Sequence, residues 1–299
     1  MKSMRLSTCW LGLLLALWSG LVAGQTQELT PRFIQIDLGR EYGFFSKSPA
    51  YLRAISVEST ANPSKTALLF FPGWPGVLWI PENLDPALWL NATRKRDFYT
   101  AKHVDYLPSK GITLVTVDCP TDQWGTSQRS ADPYGCSDTY RASQQHADDV
   151  LRLITYLKEH QGIERVYVMG HSYGSVSSRW LAMRLGAGIQ GSIHSASMSQ
   201  VAGMRFADYG SSISRMDMDQ VAAPWVYVHN QQDQCRNTEY TAAKAVAKDR
   251  LMTIRGGIPQ GDPCGGGHYH SFQGRGLEVL EAVAKWINTG EVTSVSGQP

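Results

Sequence analysis

The chain has 299 residues, 42% of them hydrophobic and 18% charged, with 28 Gly, 14 Pro and 5 Cys. This composition excludes collagen-like, coiled-coil and wholly disordered chains, and the length allows a sizeable core without help from disulfides. The 28 Lys+Arg against 26 Asp+Glu leave a net charge of +2, which gives no support for nucleic acid or an anionic membrane as partner.

Lys2 and Arg5 precede an apolar run from Leu11 to Val22, which ends in Ala23 and Gly24 before the polar stretch from Gln25. A basic start, a short apolar stretch and small residues at its exit form the pattern of a secretory signal peptide. The run is also shorter than the ~20 residues that span a bilayer. The expected division is a signal peptide over 1–24 and a single domain over 25–299. The mature protein is then exported, periplasmic or secreted, with no membrane attachment after cleavage. Removing Lys2 and Arg5, and no acid, brings the net charge of +2 to zero. Cys9 is removed as well, leaving Cys119, Cys136, Cys235 and Cys264. An even number in an exported chain reads as two disulfides, of which Cys119–Cys136 with Cys235–Cys264 is the most local pairing. The absence of any C-x-x-C pair speaks against zinc.

Further along, two strands near Arg32–Asp37 and Ala54–Glu58 suggest an antiparallel edge. A strand and helix alternation follows. Strand runs fall at Thr66–Phe71, Ile112–Asp118, Arg165–Met169, Ile189–His194, Trp225–His229 and Leu251–Arg255. Helical segments fall at Ser143–His160, with Ala147, Val150, Leu151, Ile154 and Leu157 at helical spacing, and at Tyr173–Leu185, Glu239–Lys248 and Leu277–Ile287. This order predicts an α/β fold on a mostly parallel sheet flanked by helices. The aromatic-rich stretches Val77–Gly111 and Pro120–Tyr140 read as loops or insertions over one edge of the sheet.

Gly170-His171-Ser172-Tyr173-Gly174 is a G-x-S-x-G motif that directly follows a strand run and directly precedes a helix. A serine on such a sharp turn has strained backbone angles, and the turn lifts its hydroxyl to the top of the sheet, beside a helix N-terminus that stabilises negative charge. A serine hydroxyl is a weak nucleophile; it needs a base, and the base needs an orienting acid.

With this elbow, with Phe70-Phe71-Pro72-Gly73-Trp74-Pro75-Gly76 after an early strand, and with serine, acid and histidine in that order, the chain resembles the α/β-hydrolase superfamily of serine hydrolases. It is most similar to secreted bacterial members, and the resemblance runs from Thr66 to the final helix. It implies an α/β-hydrolase fold, no cofactor, and an acid after a late strand with the histidine after the last one. Asp233 stands where the acid belongs, while Asp217 and Asp219 precede that strand and fit less well. His270 is the implied base, standing two residues before Phe272 as related sequences tend to have it; His268 is the alternative. Tyr173 and Trp74 are the implied backbone donors of the oxyanion hole, since Pro75 has no N–H. The Pro72–Gly76 loop departs from the His-Gly and Gly-Gly-Gly patterns common there. A Cys235–Cys264 bridge would tie the acid loop to the histidine loop, limiting play where an error of about 1 Å can lower rates on the order of 100-fold.

The expected function is hydrolysis of a small-molecule or polymer ester through an acyl-enzyme on Ser172. An inactive binding protein on the same fold, and an amidase or peptidase with the same triad, are the alternatives. The short interval from His194 to Trp225 suggests a small or absent lid. His171 is expected to pack or bond locally, and His103, His146, His160, His194 and His229 to be surface or core residues. His268 and His270 lack a third ligand at metal spacing. Trp74, Trp79, Trp124 and Tyr173 either line an acyl pocket or cover the sheet edge. Asn91-Ala92-Thr93 is a glycosylation sequon, without meaning in a bacterial chain.

Overall fold

The structure, a computed structural model, describes residues 28–96, 98–124, 135–199 and 216–296. The expected signal peptide over 1–24, with Cys9, lies outside the described residues. So does the middle of the His194–Trp225 interval, on which the expectation of a small or absent lid rests.

The strands are β1 (Leu29–Tyr42), β2 (Ser48–Ser59), β3 (Thr66–Phe71), β4 (Thr113–Val117), β5 (Arg165–His171), β6 (Gly191–Ser195), β7 (Trp225–Asn230) and β8 (Leu251–Ile254). They form one sheet in the order β1-β2-β4-β3-β5-β6-β7-β8. The β1–β2 hairpin is the antiparallel edge read from the sequence, with each strand longer than expected; β4 also pairs antiparallel with β2, and every pair from β4 to β8 is parallel. The result is the mostly parallel α/β sheet that the alternation predicts.

The central strands read as unbroken apolar runs because both faces of the sheet are covered. In β3, Leu68 and Phe70 join the core on one face, while Ala67, Leu69 and Phe71 join the core on the other. Helix α5 (Gln144–Gln161) covers the second face. The Ser143 side chain caps it by accepting from His146 N–H, and Gly162 at φ +67° ends it. Val150, Leu153, Ile154 and Leu157 are buried; Leu151, expected inward from the spacing, is 46% exposed, and Leu153 takes its place. Each such buried side chain contributes about 1.5–3 kcal/mol.

The Val77–Gly111 stretch corrects the sequence reading. It holds α1 (Pro86–Thr93), α2 (Tyr99–Lys102) and α3 (Tyr106–Ser109), and it packs into a face of the sheet and not over an edge. Ile80, Leu90, Tyr99, Val104 and Leu107 share a core with Phe70 and with Leu280 and Val283 of the last helix. Helices of four residues are too short to display a 3.6-residue period, so no periodic signal marks them. The second stretch, Pro120–Tyr140, lies in part outside the described residues; its described end leads into α4 (Asp138–Arg141). The remaining α-helices among the described residues are α6 (Gly174–Leu185), α7 (Tyr240–Ala247) and α8 (Gly276–Thr289). No helix among the described residues is long and apolar enough to cross a membrane.

Candidate active site

β5 runs straight into the turn at Ser172, whose φ of +52° lies in the left-handed region that a serine adopts only under strain. The turn is pinned by a 2.8 Å bond from Ser172 N–H to the Ser195 carbonyl at the end of β6. The flanking glycines have a steric reason. A side chain at Gly170 would run into the Gly174 carbonyl, and one at Gly174 into the carbonyls of Phe71 and Pro72. The crowded crossing of β5, α6 and the end of β3 is what the G-x-S-x-G spacing encodes.

Ser172 lines a cavity of about 670 Å³, and so do His270, Cys235, Cys264, Trp74 and Tyr173. Its walls are largely apolar, with Phe70, Trp89, Phe98 and Met198 among them. Trp79 and Trp124 do not line it; they pack on each other, ring centroids 5.0 Å apart.

The loops after β7 and β8 bring Asp233 and His270 together. His270 Nδ1 lies 3.1 Å from Asp233 Oδ2 and 3.0 Å from Thr238 Oγ1. Thr238 Oγ1 donates its one proton to Asp233 Oδ2 at 2.9 Å, so it can only accept from His270. His270 Nδ1–H is therefore shared between a carboxylate and a hydroxyl. That tautomer leaves the Nε2 lone pair as the ring's uncommitted nitrogen, on a residue lining the cavity. Ser172 and His270 are not hydrogen-bonded to each other, as is common before substrate tightens such a site.

Asp233 is further fixed by Cys235 N–H, which donates to its Oδ1 at 2.9 Å, and by His229 Nε2 at 3.2 Å from Oδ2. Its side chain is fully buried. Burial opposes the charge, but the hydrogen bonds from His229 and His270 outweigh it and hold the carboxyl below the usual range. His229 donates mainly to the Thr238 carbonyl at 2.7 Å, and its Nδ1 is buried without a partner. The sequence assigns no role to Thr238 and marks His229 only as a surface or core residue; both are core residues that also hold Asp233. No local pattern marks them, because their partners come together only when β7 and the two loops fold.

His268 does not line the cavity, and it shares no hydrogen bond with Asp233; its Nδ1 is buried without a partner. His171 is buried, bonds Ser195 Oγ through Nδ1 at 3.1 Å, and packs 5.1 Å from the His270 ring. Burial, and then the neighbouring His270, push its pKa well below the ordinary value, so it stays neutral. Ser195 itself is fully buried and bonded to Tyr99. The cysteines pair as Cys119–Cys136 and Cys235–Cys264, with Cα atoms 6.0 Å and 4.6 Å apart. The second bridge joins the loop that carries Asp233 to the loop before His270. No cluster of metal-ligating side chains occurs among the described residues.

Asp118, at the end of β4, anchors the cavity wall by accepting from the N–H groups of Leu78, Ile80 and Cys119 at 2.6, 2.9 and 2.7 Å. Burial nevertheless raises its pKa to about 6. A carboxyl raised in the folded state binds more protons there than in the unfolded chain, so stability falls as pH rises through that window. Relative to Asp118→Asn, the wild type should lose roughly 2–3 kcal/mol of stability between about pH 4 and 6. Denaturant melts of both proteins across that range measure the difference.

The sequence profile described as the alpha/beta hydrolase fold matches residues 66–218, more than half of the chain. The chain belongs to that family. The matched stretch contains Ser172 and ends before Asp233 and His270. No curated protein sequence matches the chain. Among solved structures it is similar to Est1E from Butyrivibrio proteoclasticus with ferulic acid bound, at 16% identity over 80% of this chain and 95% of that one, with a TM-score of 0.55. It is also similar to an α/β serine hydrolase without lid from Xanthomonas campestris, at 14% identity over 89% of this chain and 97% of that one, with a TM-score of 0.47. Identities this low speak to the fold alone.

Proposed function

We propose that the chain is an exported serine hydrolase that cleaves a carboxylic ester through an acyl-enzyme on Ser172, with His270 as base and Asp233 as its orienting acid. One observation carries the reading: the 3.1 Å Asp233–His270 pair and the strained Ser172 turn meet at a single cavity. Ser172 Oγ attacks the acyl carbon while His270 Nε2 takes its proton. Asp233 stabilises the imidazolium so formed, and His270 returns the proton to the leaving alcohol oxygen. Water then repeats the cycle on the acyl-enzyme and releases the carboxylic acid.

The oxyanion is assigned to the backbone N–H groups of Tyr173, directly after the nucleophile, and Trp74, on the loop after β3. Both residues line the cavity with Ser172. The apolar walls suit an alkyl or aromatic acyl group, from a small molecule or a polymer. Ferulic acid, an aromatic acid, is what Est1E holds. The two disulfides and the apolar N-terminal run support export.

A fluorophosphonate probe tests the reading. Wild-type protein should label stoichiometrically, and Ser172→Ala not at all. A folded wild type that does not label would leave the inactive binding protein as the better account. Hydrolysis of matched short, long and aromatic acyl esters and their amides then separates esterase from amidase.

A further inference from the structure

One buried ion has no part in the proton transfers just described. Arg141, the last residue of α4, is 3% exposed and forms no ion pair among the described residues. Its Nη1 donates to Ser177 Oγ at 2.7 Å, its Nη2 to the Gly76 carbonyl at 3.4 Å, and its Nε is buried without a partner. The guanidinium carbon stands 4.7 Å from the centroid of the Tyr173 ring. His146 does not share the charge, because burial and then Arg141 itself lower its pKa to about 3. A buried cation without a counter-charge is unfavourable, and folded proteins normally pair one.

Besides Ser177 on α6, Arg141 contacts the two elements to which the oxyanion donors are assigned. Gly76 ends the Pro72–Gly76 loop that carries Trp74, and Tyr173 follows Ser172. A side chain at Gly76 would collide with the guanidinium, so the glycine is what allows this approach. The segment leading to Arg141 grips the same two elements a second time. Cys136 N–H donates to the Pro75 carbonyl at 3.0 Å, and Tyr173 Oη donates to the Cys136 carbonyl at 2.6 Å. The Trp74 ring meets Tyr173 edge-on at 5.3 Å and lies so close over Gly135 that no side chain would fit there. The Cys119–Cys136 bond ties this segment to the end of β4.

We infer that Arg141 is a positioning residue of the oxyanion site: its buried, unpaired charge holds the Pro72–Gly76 loop and Tyr173 in register and sets a fixed positive potential behind the carbonyl oxygen that turns negative on attack by Ser172. Arg141 is not among the residues lining the cavity, so it does not touch the substrate. A fixed charge behind the donors acts on the charge that develops in the transition state more than on the neutral ground state. The inference rests on the serine-hydrolase reading.

Arg141→Met and Arg141→Lys in the full chain, beside wild type, test it. Arg141→Met should lower kcat about 10–100-fold while KM moves less than roughly threefold. An aryl boronic acid, which forms a tetrahedral adduct on the serine, should lose affinity by about the same factor as kcat/KM. Arg141→Lys keeps the charge and should recover most of kcat. A purely structural role would penalise Lys and Met alike and would not make boronate affinity follow kcat; that result overturns the inference. Should Arg141→Met fail to fold, Arg141→Gln carries the same comparison. A kcat within twofold of wild type in either neutral variant also overturns it. Wild type without Ser172-dependent fluorophosphonate labelling instead overturns the serine-hydrolase reading, and this role with it.

Discussion

Replacing His270 by alanine is expected to lower kcat by on the order of 10⁴–10⁶, whereas replacing His268 should lower it less than about tenfold. The two histidines stand two residues apart in one loop, and their surroundings differ in the way that matters for a base. His270 gives Nδ1–H to Asp233 and Thr238 and lines the cavity that holds Ser172. His268 has no carboxylate partner and holds its loop through the backbone, its carbonyl accepting from Ser271 at 3.0 Å and Gln273 at 3.2 Å. Loss of His270 removes the proton acceptor itself, leaving only what the oxyanion donors and substrate binding contribute. Loss of His268 empties a mostly buried site and should register in the melting temperature before it registers in kcat. Steady-state kinetics on both variants, with fluorophosphonate labelling rates as an independent measure, checks this. A folded His268→Ala protein as inactive as His270→Ala would reverse the assignment.

How far the sequence discloses the molecule depends on how local each signal is. The turn at Ser172 is legible because its signature lies within a few residues, the strand before it, the helix after it and two flanking glycines, even though the carbonyls that crowd Gly174 belong to Phe71 and Pro72. Strand β3 is legible for a similar reason, since burial on both faces writes itself as an unbroken apolar run. The choice between His268 and His270 is not local. The one-turn helix at Tyr269–Ser271 rotates one ring toward Asp233 and leaves the other away from the cavity, and both sit in equivalent sequence surroundings. Thr238 and His229 are further from reach. A threonine five residues after an aspartate carries no signal until the loops after β7 and β8 close around the same carboxylate. Arg141 is similar, an arginine on a one-turn helix whose partners lie at Gly76, Tyr173 and Ser177. The core residues of Val77–Gly111 are obscured because they sit on short helices or, like Ile80 and Val104, outside them.

Asp233→Asn should lower kcat by about 10⁴ even though it changes the side chain's shape very little. Three hydrogen-bond donors converge on Asp233 Oδ2: His270 Nδ1–H, His229 Nε2–H and the Thr238 hydroxyl. A carboxylate satisfies them all with lone pairs and negative charge. An asparagine has one oxygen and one NH₂, and whichever way it turns it puts donors against donors, either at the Oδ2 position or at the Cys235 N–H that bonds Oδ1. With the NH₂ toward His270, the ring accepts at Nδ1 and moves its proton to Nε2, and the lone pair that should meet Ser172 is gone. Thr238→Val should show a smaller loss, about tenfold, because the carboxylate remains and only the shared hydroxyl disappears. Asp233→Asn also has a signature in stability. Asp233 is held below the ordinary carboxylate range when folded, so its charge contributes stability that is present above the unfolded value and lost as pH falls through the lower folded one. The margin of wild type over Asp233→Asn should therefore be constant above about pH 5 and shrink below about pH 4. Denaturant melts from pH 7 downward give the margin. A margin that stays constant below pH 4 would mean that Asp233 is not held ionised by its two histidines, and the tautomer argument for His270 would lose its anchor.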